Sequence, residues 1–559
     1  MSQAIIECVP NFSEGRNEAI LQEIAKQVRS VAGVALLDID PGKDTNRTVF
    51  TFAGPPEAVC EAAFRAIGAA AELIDMSKHT GTHPRMGATD VCPLIPISGI
   101  SLEEVNQWAQ KLAARVAEAY SIPIYMYEAS AKSEDRRNLA NIRSGEYEGF
   151  SEKIKLPEWS PDYGTAKFNT KSGATVIGAR DFLIAYNVNL NTKSVKKANS
   201  IAFDVREKGR VKKAGKKIVL DSQGNEVREP GTLKNVKAIG WYMPEYGFAQ
   251  ISMNLTNPSQ TPIHEAFEAV EEKSRERGIR VTGSELVGMV PKKALLEAGK
   301  YFQRKQKSNP GLTEHELIRI AVRSLGLEEL GPFEMKQKII EYAIENKEDR
   351  ELIDLSMEQF ADRLASDSPA PGGGSAAAYT GALGASLGTM VASLSQAKKG
   401  FEKQWEMFAE EAEKGQILKQ QLLHLVDADT AAFSGIIQAV RLPKSTLEEI
   451  DTRTLALHEA TKIAIETPLQ TMRIAYEAID LIAKMVTDGI PSSVSDAAVG
   501  GLCLDAAIKG ANYNVRINLK DFADEVYSQQ ILAEADSIMS KSAPKLIEIE
   551  RNIKKIINL

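Results

Sequence analysis

Short apolar blocks and longer three-to-four-residue repeats alternate along the first half of the chain, and only the longer repeats continue in the second. Residues 4–9 are an apolar run closed by Pro10. Residues 34–39 and 48–52 are apolar or β-branched runs on either side of Pro41-Gly42, so each reads as a strand. Residues 17–31 and 55–74 carry their apolar positions at helical spacing. A further helix over 102–120 is flanked by strand-like runs at 91–97 and 122–127. Helices packed on one mostly antiparallel sheet is the α+β arrangement this order predicts.

A second block follows. Residues 182–190 alternate, with Asn187 and Asn189 on one face and Tyr186 and Val188 on the other. A basic helix is expected over 194–208. Runs at 236–242 and 248–255 enclose Pro244-Glu245-Tyr246-Gly247, which predicts a hairpin. A helix over 262–277, a short strand over 279–282 and a helix over 291–302 complete the block. Its order matches the first, which predicts two related α/β subdomains, 1–181 and 182–328, with a ligand groove between them. Beyond about residue 330 strand signals nearly vanish. Gly331-Pro332 and the charged stretch 345–351 mark 329–351 as a linker, and 352–559 reads as an all-helical domain. The fold class expected is an α+β N-terminal half fused to an all-α C-terminal domain.

The 559 residues are 43% hydrophobic and 26% charged, enough for several cores, which excludes a disordered or fibrous chain. Lys plus Arg is 68 against 75 Asp plus Glu, so a broad nucleic-acid surface is excluded but local basic patches are not. Cys8, Cys60, Cys92 and Cys503 form no CxxC pair, which suits reduced thiols in a cytoplasmic protein better than a disulfide framework. No basic-then-apolar secretory signal opens the chain. Residues 376–394 are the most lipid-like, but Gly, Ser, Thr and Ala dilute them, so a closely packed helix is expected there and no membrane span.

Candidate chemistry concentrates in a few places. Residues 79–87 hold two histidines, His79 and His83, around Gly81 and Pro84. A zinc site needs a third ligand, and none is close in sequence. A structural loop and proton transfer are the other readings, and His83, beside Pro84, is the better placed for acid/base work. Residues 10–15 read as a turn with Ser13 or Asn17 capping a helix, or as part of a pocket. Asp40-Pro41-Gly42 and Asn46-Arg47-Thr48 form a second polar hairpin. The loop 159–173 sets Tyr163 and Phe168 beside Lys167 and Lys171, which suits a flat heterocycle carrying carboxylates as well as a mobile connection.

In the second half, Gly372-Gly373-Gly374 allows close backbone approach, and Ser375 is a candidate helix cap. Leu418, Leu422, Leu425, Val426, Phe433, Ile436 and Val440 form one helical stripe that includes Asp429, while Asp427 points elsewhere. A carboxyl on an apolar face is either a satisfied structural group or an acid with a raised pKa. Ser492 to Asp496 looks like a cap, and Asn512, Asn514, Arg516 and Asn518 suit either interhelical hydrogen bonds or ligand recognition.

Several strings resemble the formiminotransferase-cyclodeaminase family over almost the whole chain. They are residues 6–15, Thr45-Asn46-Arg47-Thr48, His83-Pro84-Arg85-Met86-Gly87, Gly173-Ala174-Thr175, Gly178-Ala179-Arg180, residues 371–375 and residues 425–429. The resemblance implies two reactions. The formimino group of N-formimino-L-glutamate passes to N5 of tetrahydrofolate, with His83 as acid/base. The product then cyclises to 5,10-methenyltetrahydrofolate with loss of ammonia, with Asp429 as proton donor. Tetrahydrofolate, polyglutamylated, is the co-substrate implied, and no metal is. The resemblance also implies a folate-binding loop at Gly164, Thr165, Ala166, Lys167, Phe168, Asn169, Thr170, Lys171, Ser172 and Gly173, with Asp40 and Arg180 as further substrate contacts. Gly372, Gly373, Gly374 and Ser375 are expected at the second folate pocket, with Asp496 and Asn518 as lesser candidates. A place in histidine degradation and homo-oligomers with a separate dimer interface for each half are implied as well.

Overall fold

The computed structural model describes residues 4–81, 84–215, 217–345, 350–520 and 522–558. Chain contacts separate two compact units, Met1–Glu297 with Val322–Ile344, and Ala298–Ala321 with Glu345–Leu559.

The first unit opens on a mixed sheet of Ile5–Cys8 (β1), Asn11–Phe12 (β2), Ala35–Gly42 (β3), Arg47–Gly54 (β4), Thr89–Ser98 (β5), Ile124–Met126 (β6) and Thr175–Ala179 (β7). β4 pairs antiparallel with β1, β2 and β3, and β5 with β1 and β2. β7 runs parallel to both β5 and β6. Helices Glu18–Arg29 (α1), Pro56–Leu73 (α2) and Leu102–Tyr120 (α3) cover one face. Leu21, Ile24, Val28, Val59, Ile67, Leu112 and Val116 pack there on Phe12, Phe50, Phe52, Cys92 and Leu94. α1 and α3 start where a side chain accepts their free N–H groups, Asn17 from Ala19 and Ser101 with Glu104 in a capping box, whereas α2 starts on Pro55-Pro56 without a side-chain cap. Ser13 is not a cap, because its hydroxyl donates to Gly87 O at 2.8 Å. On the other face Met86, Val91, Tyr125 and Val176 lie against Ile142, Phe150 and Ile154 from the short helices Glu134–Arg137 (α4), Leu139–Arg143 (α5) and Glu146–Lys153 (α6).

The second sheet holds Ile184–Leu190 (β8) at its centre. The short pairs Arg210–Val211 (β9) with Arg228–Glu229 (β12), and Lys213–Ala214 (β10) with Lys217–Ile218 (β11), form side ribbons. Val236–Met243 (β13), Phe248–Leu255 (β14) and Val281–Val287 (β15) complete the order β13-β14-β8-β15, all antiparallel. Val195–Val205 (α7) and Ile263–Arg275 (α8) cover it. The alternation read in β8 holds. Tyr186, Val188 and Leu190 are buried on one face, and Asn187 and Asn189, also buried, serve a polar network on the other. Gln250 donates to Asn189 at 2.8 Å, Asn189 to Glu329 at 2.6 Å and Trp241 to Gln250 at 3.2 Å. β15 outruns the expected strand because its polar residues are satisfied: Tyr186 donates to Ser284, which donates to Leu325 O. The two sheets share an apolar patch of Ala53, Ile95 and Ile97 with Phe182, Met289 and Ile340.

Lys292–Lys305 (α9), Glu314–Leu325 (α10), Met335–Lys338 (α11) and Ile340–Ile344 (α12) lead on to Met357–Ala365 (α13), Gly373–Gln396 (α14), Trp405–Val440 (α15), Leu447–Asp488 (α16), Val494–Leu519 (α17) and Glu525–Ile556 (α18). In the second unit, small residues of α14, among them Ala378, Ala382 and Ala385, pack against Leu422, Ile482, Leu504 and Ala507. The segment Ala298–Ala321 joins this unit through Lys300 to Glu413 at 2.8 Å, Asn309 to Ser393 at 2.8 Å and Trp405 to Lys307 O at 3.1 Å. Among the described residues no helix is long and apolar enough to cross a membrane.

One buried acid gives the first unit a pH dependence. Glu7 of β1 is 4% exposed, and burial pushes its carboxyl up to about 7, against the opposing pull of Arg180. A raised folded-state pKa stabilises the fold below the ordinary carboxylate range, and that contribution is lost as pH rises through about 7. Glu7→Gln is therefore expected to raise stability by about 3 kcal/mol at pH 8 and by far less at pH 5. Thermal unfolding at the two pH values checks it, and an equal shift at both rules the explanation out.

Candidate active sites

His83 and Thr82 lie outside the described residues, so the geometry of the first site is that of the segments leading to and from them. Asn46, at φ 48°, holds these segments together. Its side chain accepts from Gly15 N at 3.0 Å and donates to Thr80 O at 2.9 Å. Its carbonyl accepts from His79 Nε2 at 2.9 Å. Arg85 Nε donates to His79 Nδ1 at 3.2 Å. One ring nitrogen donates and the other accepts, which fixes His79 as the neutral Nε2–H tautomer. Burial first, and then the Arg85 charge, hold its pKa below the usual histidine value. His79 is thus a positioning group. Arg85, itself buried, is clamped by Glu146 at 3.0 Å and Glu148 at 2.6 Å. His79, Arg85, Glu146 and Glu148, with Thr80, Gly81 and Gly145, line a cavity of about 510 Å³.

The loop of residues 164–173 is tied to that segment. Gly173, at φ 67°, approaches so closely that a Cβ there would lie 2.1 Å from Met86 O. Ala174 N donates to Met86 O at 3.1 Å, and Ala88 N to Ser172 O at 2.9 Å. Asn169 accepts from the N–H groups of Lys171 and Ser172 and donates to Ser121 O. Lys171 Nζ reaches Glu72 O at 2.6 Å. Phe168 packs on Tyr147 and Phe150, with ring centroids 5.4 and 5.9 Å away. Gly164, Thr165, Ala166, Lys167 and Thr170 are exposed along the loop. The polar hairpin around residues 40–48, the His83 segment and the aromatic-lysine loop therefore meet at one end of the first sheet.

Asp40 and Arg180 are set apart from each other. Asp40 is exposed on β3, opposite Val49 of β4, and lies within electrostatic reach of Arg47. Arg180 follows β7, donates to Asp181 O, and its charge acts on Glu7, Tyr127 and Glu128. Sequence reasoning singled out neither Asp90 nor Arg143. β2 pairs Asn11 with Val91 and Phe12 with Thr89, so Asp90 is the extra residue of a bulge, which re-aims its side chain. Asp90 then accepts from Met86 N at 2.8 Å and pairs with Arg143. No period in the sequence announces a bulge.

The second site is built where α14 begins. Gly372 is the N-cap, so Ser375 is not. Instead Ser375 N donates to Asp429 Oδ2 at 2.8 Å, and its hydroxyl reaches Val426 O at 2.8 Å and Asp429 Oδ2 at 3.1 Å. A Cβ on Gly374 would lie 2.1 Å from Asp429 Oδ1. A Cβ on Gly373 would lie 3.5 Å from Asn514 of α17, which adds Asn514 to the cluster. Burial raises the Asp429 pKa, and the Ser375 hydrogen bonds oppose it. Asp427 does point elsewhere, but not to solvent: it accepts from Leu352 N at 2.7 Å and Ile353 N at 3.4 Å. The stripe on α15 stays buried to Val426 and then opens, leaving Phe433 and Val440 exposed. Asp496 stands at the start of α17, eighteen residues or about 27 Å along the helix from Asn514. Asn518 donates to Ala464 O at 2.7 Å, within the helix packing. Among the described residues no group of three His, Cys, Asp or Glu is arranged to hold a metal ion.

Family models match three consecutive stretches. Residues 5–180 match the formiminotransferase domain, N-terminal subdomain; 185–345 the formiminotransferase domain; and 356–537 formiminotransferase-cyclodeaminase. The chain is 41% identical over 544 residues to formimidoyltransferase-cyclodeaminase of Mus musculus, covering 97% of each. It is 42% identical over 529 residues to that of Gallus gallus, covering 94% of each. Its first half is 40% identical over 298 residues to glutamate formimidoyltransferase of Streptococcus pyogenes, covering 53% of this chain and 93% of the relative.

The contact at Gly374 is testable by stability alone. Gly374→Ala forces Asp429 or α14 to move and should cost about 1–3 kcal/mol. Gly372→Ala meets no atom within 4 Å and should stay within about 0.5 kcal/mol of the parent. Denaturant unfolding of the two variants checks the contrast. Equal losses would mean that α14 tolerates a side chain at Gly374.

Proposed function

We propose, for a chain that belongs to the formiminotransferase-cyclodeaminase family, that His83 is the acid/base of its first reaction and Asp429 the proton donor of its second. The enzyme is bifunctional. It transfers the formimino group of N-formimino-L-glutamate to N5 of tetrahydrofolate, then cyclises 5-formiminotetrahydrofolate to 5,10-methenyltetrahydrofolate with release of ammonia.

In the first step N5 attacks the formimino carbon, N5 loses a proton and the departing glutamate nitrogen gains one. An imidazole near neutral pKa serves both transfers in turn. The neighbouring His79 is unsuited to this role, since Asn46 and Arg85 occupy both its nitrogens. The loop of residues 164–173 borders the same segment, which supports its reading as the folate contact; Phe168 offers an aromatic face there and Lys167 an exposed cation. Asp40 and Arg180 are proposed as further contacts of the first site.

The observation that carries the second assignment is the environment of Asp429. N10 attacks the amidine carbon, and ammonia departs only once its nitrogen is protonated. Asp429 Oδ2 is engaged by Ser375. Among the described residues Oδ1 accepts no hydrogen bond, which leaves it the oxygen to carry the proton in this reading. Burial keeps the carboxyl protonated to higher pH than an exposed aspartate. Gly372, Gly373, Gly374 and Ser375 form the floor of this pocket in the proposed reading.

The co-substrate is read as polyglutamylated, the setting as histidine degradation in the cytoplasm, and the assembly as a homo-oligomer in which each half has its own dimer interface. Exposed Leu383, Met390 and Leu394 of α14 and Leu502, Tyr513 and Ile517 of α17 support such an interface in the helical unit.

His83→Ala should abolish formimino transfer and spare cyclisation of supplied 5-formiminotetrahydrofolate, and Asp429→Ala should do the reverse. The near-ultraviolet absorbance of the methenyl product reads cyclisation, and release of L-glutamate from formiminoglutamate reads transfer independently of it. Full activity of either variant in its own step removes that assignment. Because Asp429 must be protonated, cyclisation should also fall as pH rises above its elevated pKa. A rate constant flat across that range would mean another group supplies the proton.

A further inference from the structure

Gly240 of β13 lies against Ala198 of α7, which puts its register partners Ile251 and Val188 on the helix side of the second sheet. Side chains alternate along a strand, so the rows on either side of this one point to the other face. One of them is Trp241, Gln250 and Asn189; the other is Ile239, Ser252, Asn187 and Glu285. A Cβ on Gly283 of β15 would lie 2.5 Å from Glu329 Oε2, so the glycine admits Glu329 to the end of the first row. The face is open to solvent at its β13 edge, where Ile239 is 56% and Trp241 41% exposed. Its amides are nonetheless buried, Asn189 and Gln250 fully and Asn187 to 5% exposure.

Hydrogen bonds join the two rows directly. Trp241 donates to Gln250, Gln250 to Asn189 and Asn189 to Glu329. Asn187 Nδ2 and Gln250 Nε2 both donate to Glu285 Oε2, at 3.3 and 3.4 Å. The donors are spent inside the network, and what is left over accepts. Among the described residues Glu285 Oε1, Glu329 Oε1 and Asn187 Oδ1 receive no hydrogen bond, and neither carboxylate has a cation partner. None of the three oxygens is sealed from solvent.

A network built only to hold the sheet would satisfy its buried members internally. Asn187 does not: it uses its N–H and leaves its carbonyl without a donor, a cost that a ligand N–H would remove. Free amide and carboxylate oxygens on one face select N–H donors. Four strands at about 4.8 Å spacing give the patch a width of roughly 14 Å, room for a bicyclic ring. The indole of Trp241 is held by its N–H and keeps apolar ring surface in solvent, which suits stacking on a flat heterocycle.

We propose that this face of the second sheet binds a planar N–C–N edge carrying N–H donors, with Glu285 and Asn187 accepting from the edge, Glu329 flanking it and Trp241 stacking beside it. The inference rests on the transferase reading given above, which supplies two carriers of such an edge: the 2-aminopyrimidinone of the tetrahydrofolate pterin and the formimino group of the donor. Only the pterin also offers Trp241 a ring.

The test uses the full chain with Glu285→Gln, Asn187→Ala, Trp241→Leu and Trp241→Phe. Folding is checked by thermal unfolding and by cyclisation of supplied 5-formiminotetrahydrofolate, a reaction of the helical unit. Glu285→Gln and the Trp241 variants change partly exposed side chains, so they decide the matter if Asn187→Ala does not fold. Transfer is measured with each substrate varied separately. Calorimetry follows 6-methyltetrahydropterin, which has the edge without the glutamate tail, and p-aminobenzoyl-L-glutamate, which has the tail without the edge. Glu285→Gln should raise the KM for tetrahydrofolate about 10-fold or more, with kcat changed far less, and weaken 6-methyltetrahydropterin but not p-aminobenzoyl-L-glutamate. Trp241→Leu should act in the same direction, and Trp241→Phe should recover most of the loss because it keeps a stacking face. A rise in the KM for formiminoglutamate alone would assign the edge to the formimino group and overturn the stacking role of Trp241. If both KM values and pterin binding stay within twofold of the parent in folded variants, the network is structural and the proposal fails. A parent protein that binds 6-methyltetrahydropterin through Glu285 but transfers no formimino group would instead overturn the transferase reading and leave the site standing.

Discussion

Ala174 donates its N–H to Met86 O, and Gly173 lies so close to that carbonyl that no side chain fits between them. This backbone contact fixes the first site. It joins the segment leaving His83 to the loop of residues 164–173, which otherwise belong to distant parts of the chain. Gly87 bridges to Gly173 across the same joint. With the main chains in contact, Phe168 comes onto Tyr147 and Phe150, and Ser172 and Ala88 close a second hydrogen bond. A side chain at Gly173 would push the residues that follow His83 and the loop of residues 164–173 apart by about a side chain's width.

Close approach serves a different purpose in the second unit. At Asp429 two effects oppose each other. Backbone and hydroxyl donors from Ser375 favour the carboxylate, and desolvation favours the neutral acid. Desolvation wins because the donors all fall on Oδ2 while the carboxyl is pressed against the α14 backbone at Gly374. The glycine thus sets an acid strength as well as a fit. A larger residue would move the carboxyl away from Ser375, and both opposing effects would weaken together.

Much of this was legible in the sequence, and the reasons differ by element. The stripe of α15 up to Val426 is a burial pattern, and burial is what hydrophobic periodicity reports; β8 is buried on both faces, and its alternation marks the face that carries the polar network. The family strings pointed to His83, Asp429 and the substrate loop, which short-range pattern alone left open. Missed features all depend on partners distant in sequence. Ser375 looks like a cap because it precedes an apolar helix, yet its hydroxyl is drawn to Val426 and Asp429 on α15. Asp427 points away from the apolar stripe as read, but what claims it, the N–H groups of Leu352 and Ile353, lies far off in sequence. Asp90 sits in a bulge that exists only in the pairing of β2 with β5. Arg47 stood inside a recognised string, but its lack of a partner is a property of the folded neighbourhood.

Net charge is the feature whose meaning changes most. A total of −7 argues against a polyanionic ligand if charge is spread evenly. It is not. At the first site Arg85 is neutralised by Glu146 and Glu148, and Arg143 by Asp90, so those cations are spent on structure. Arg47 is left over, next to a histidine held neutral by its contacts. At the second site burial holds the pKa of Asp429 above the ordinary aspartate value. The first unit therefore keeps an unmatched cation at Arg47, and in the second burial disfavours ionisation of Asp429. The acidic surplus elsewhere stays in water, where screening over roughly 8–10 Å removes most of its influence on either site.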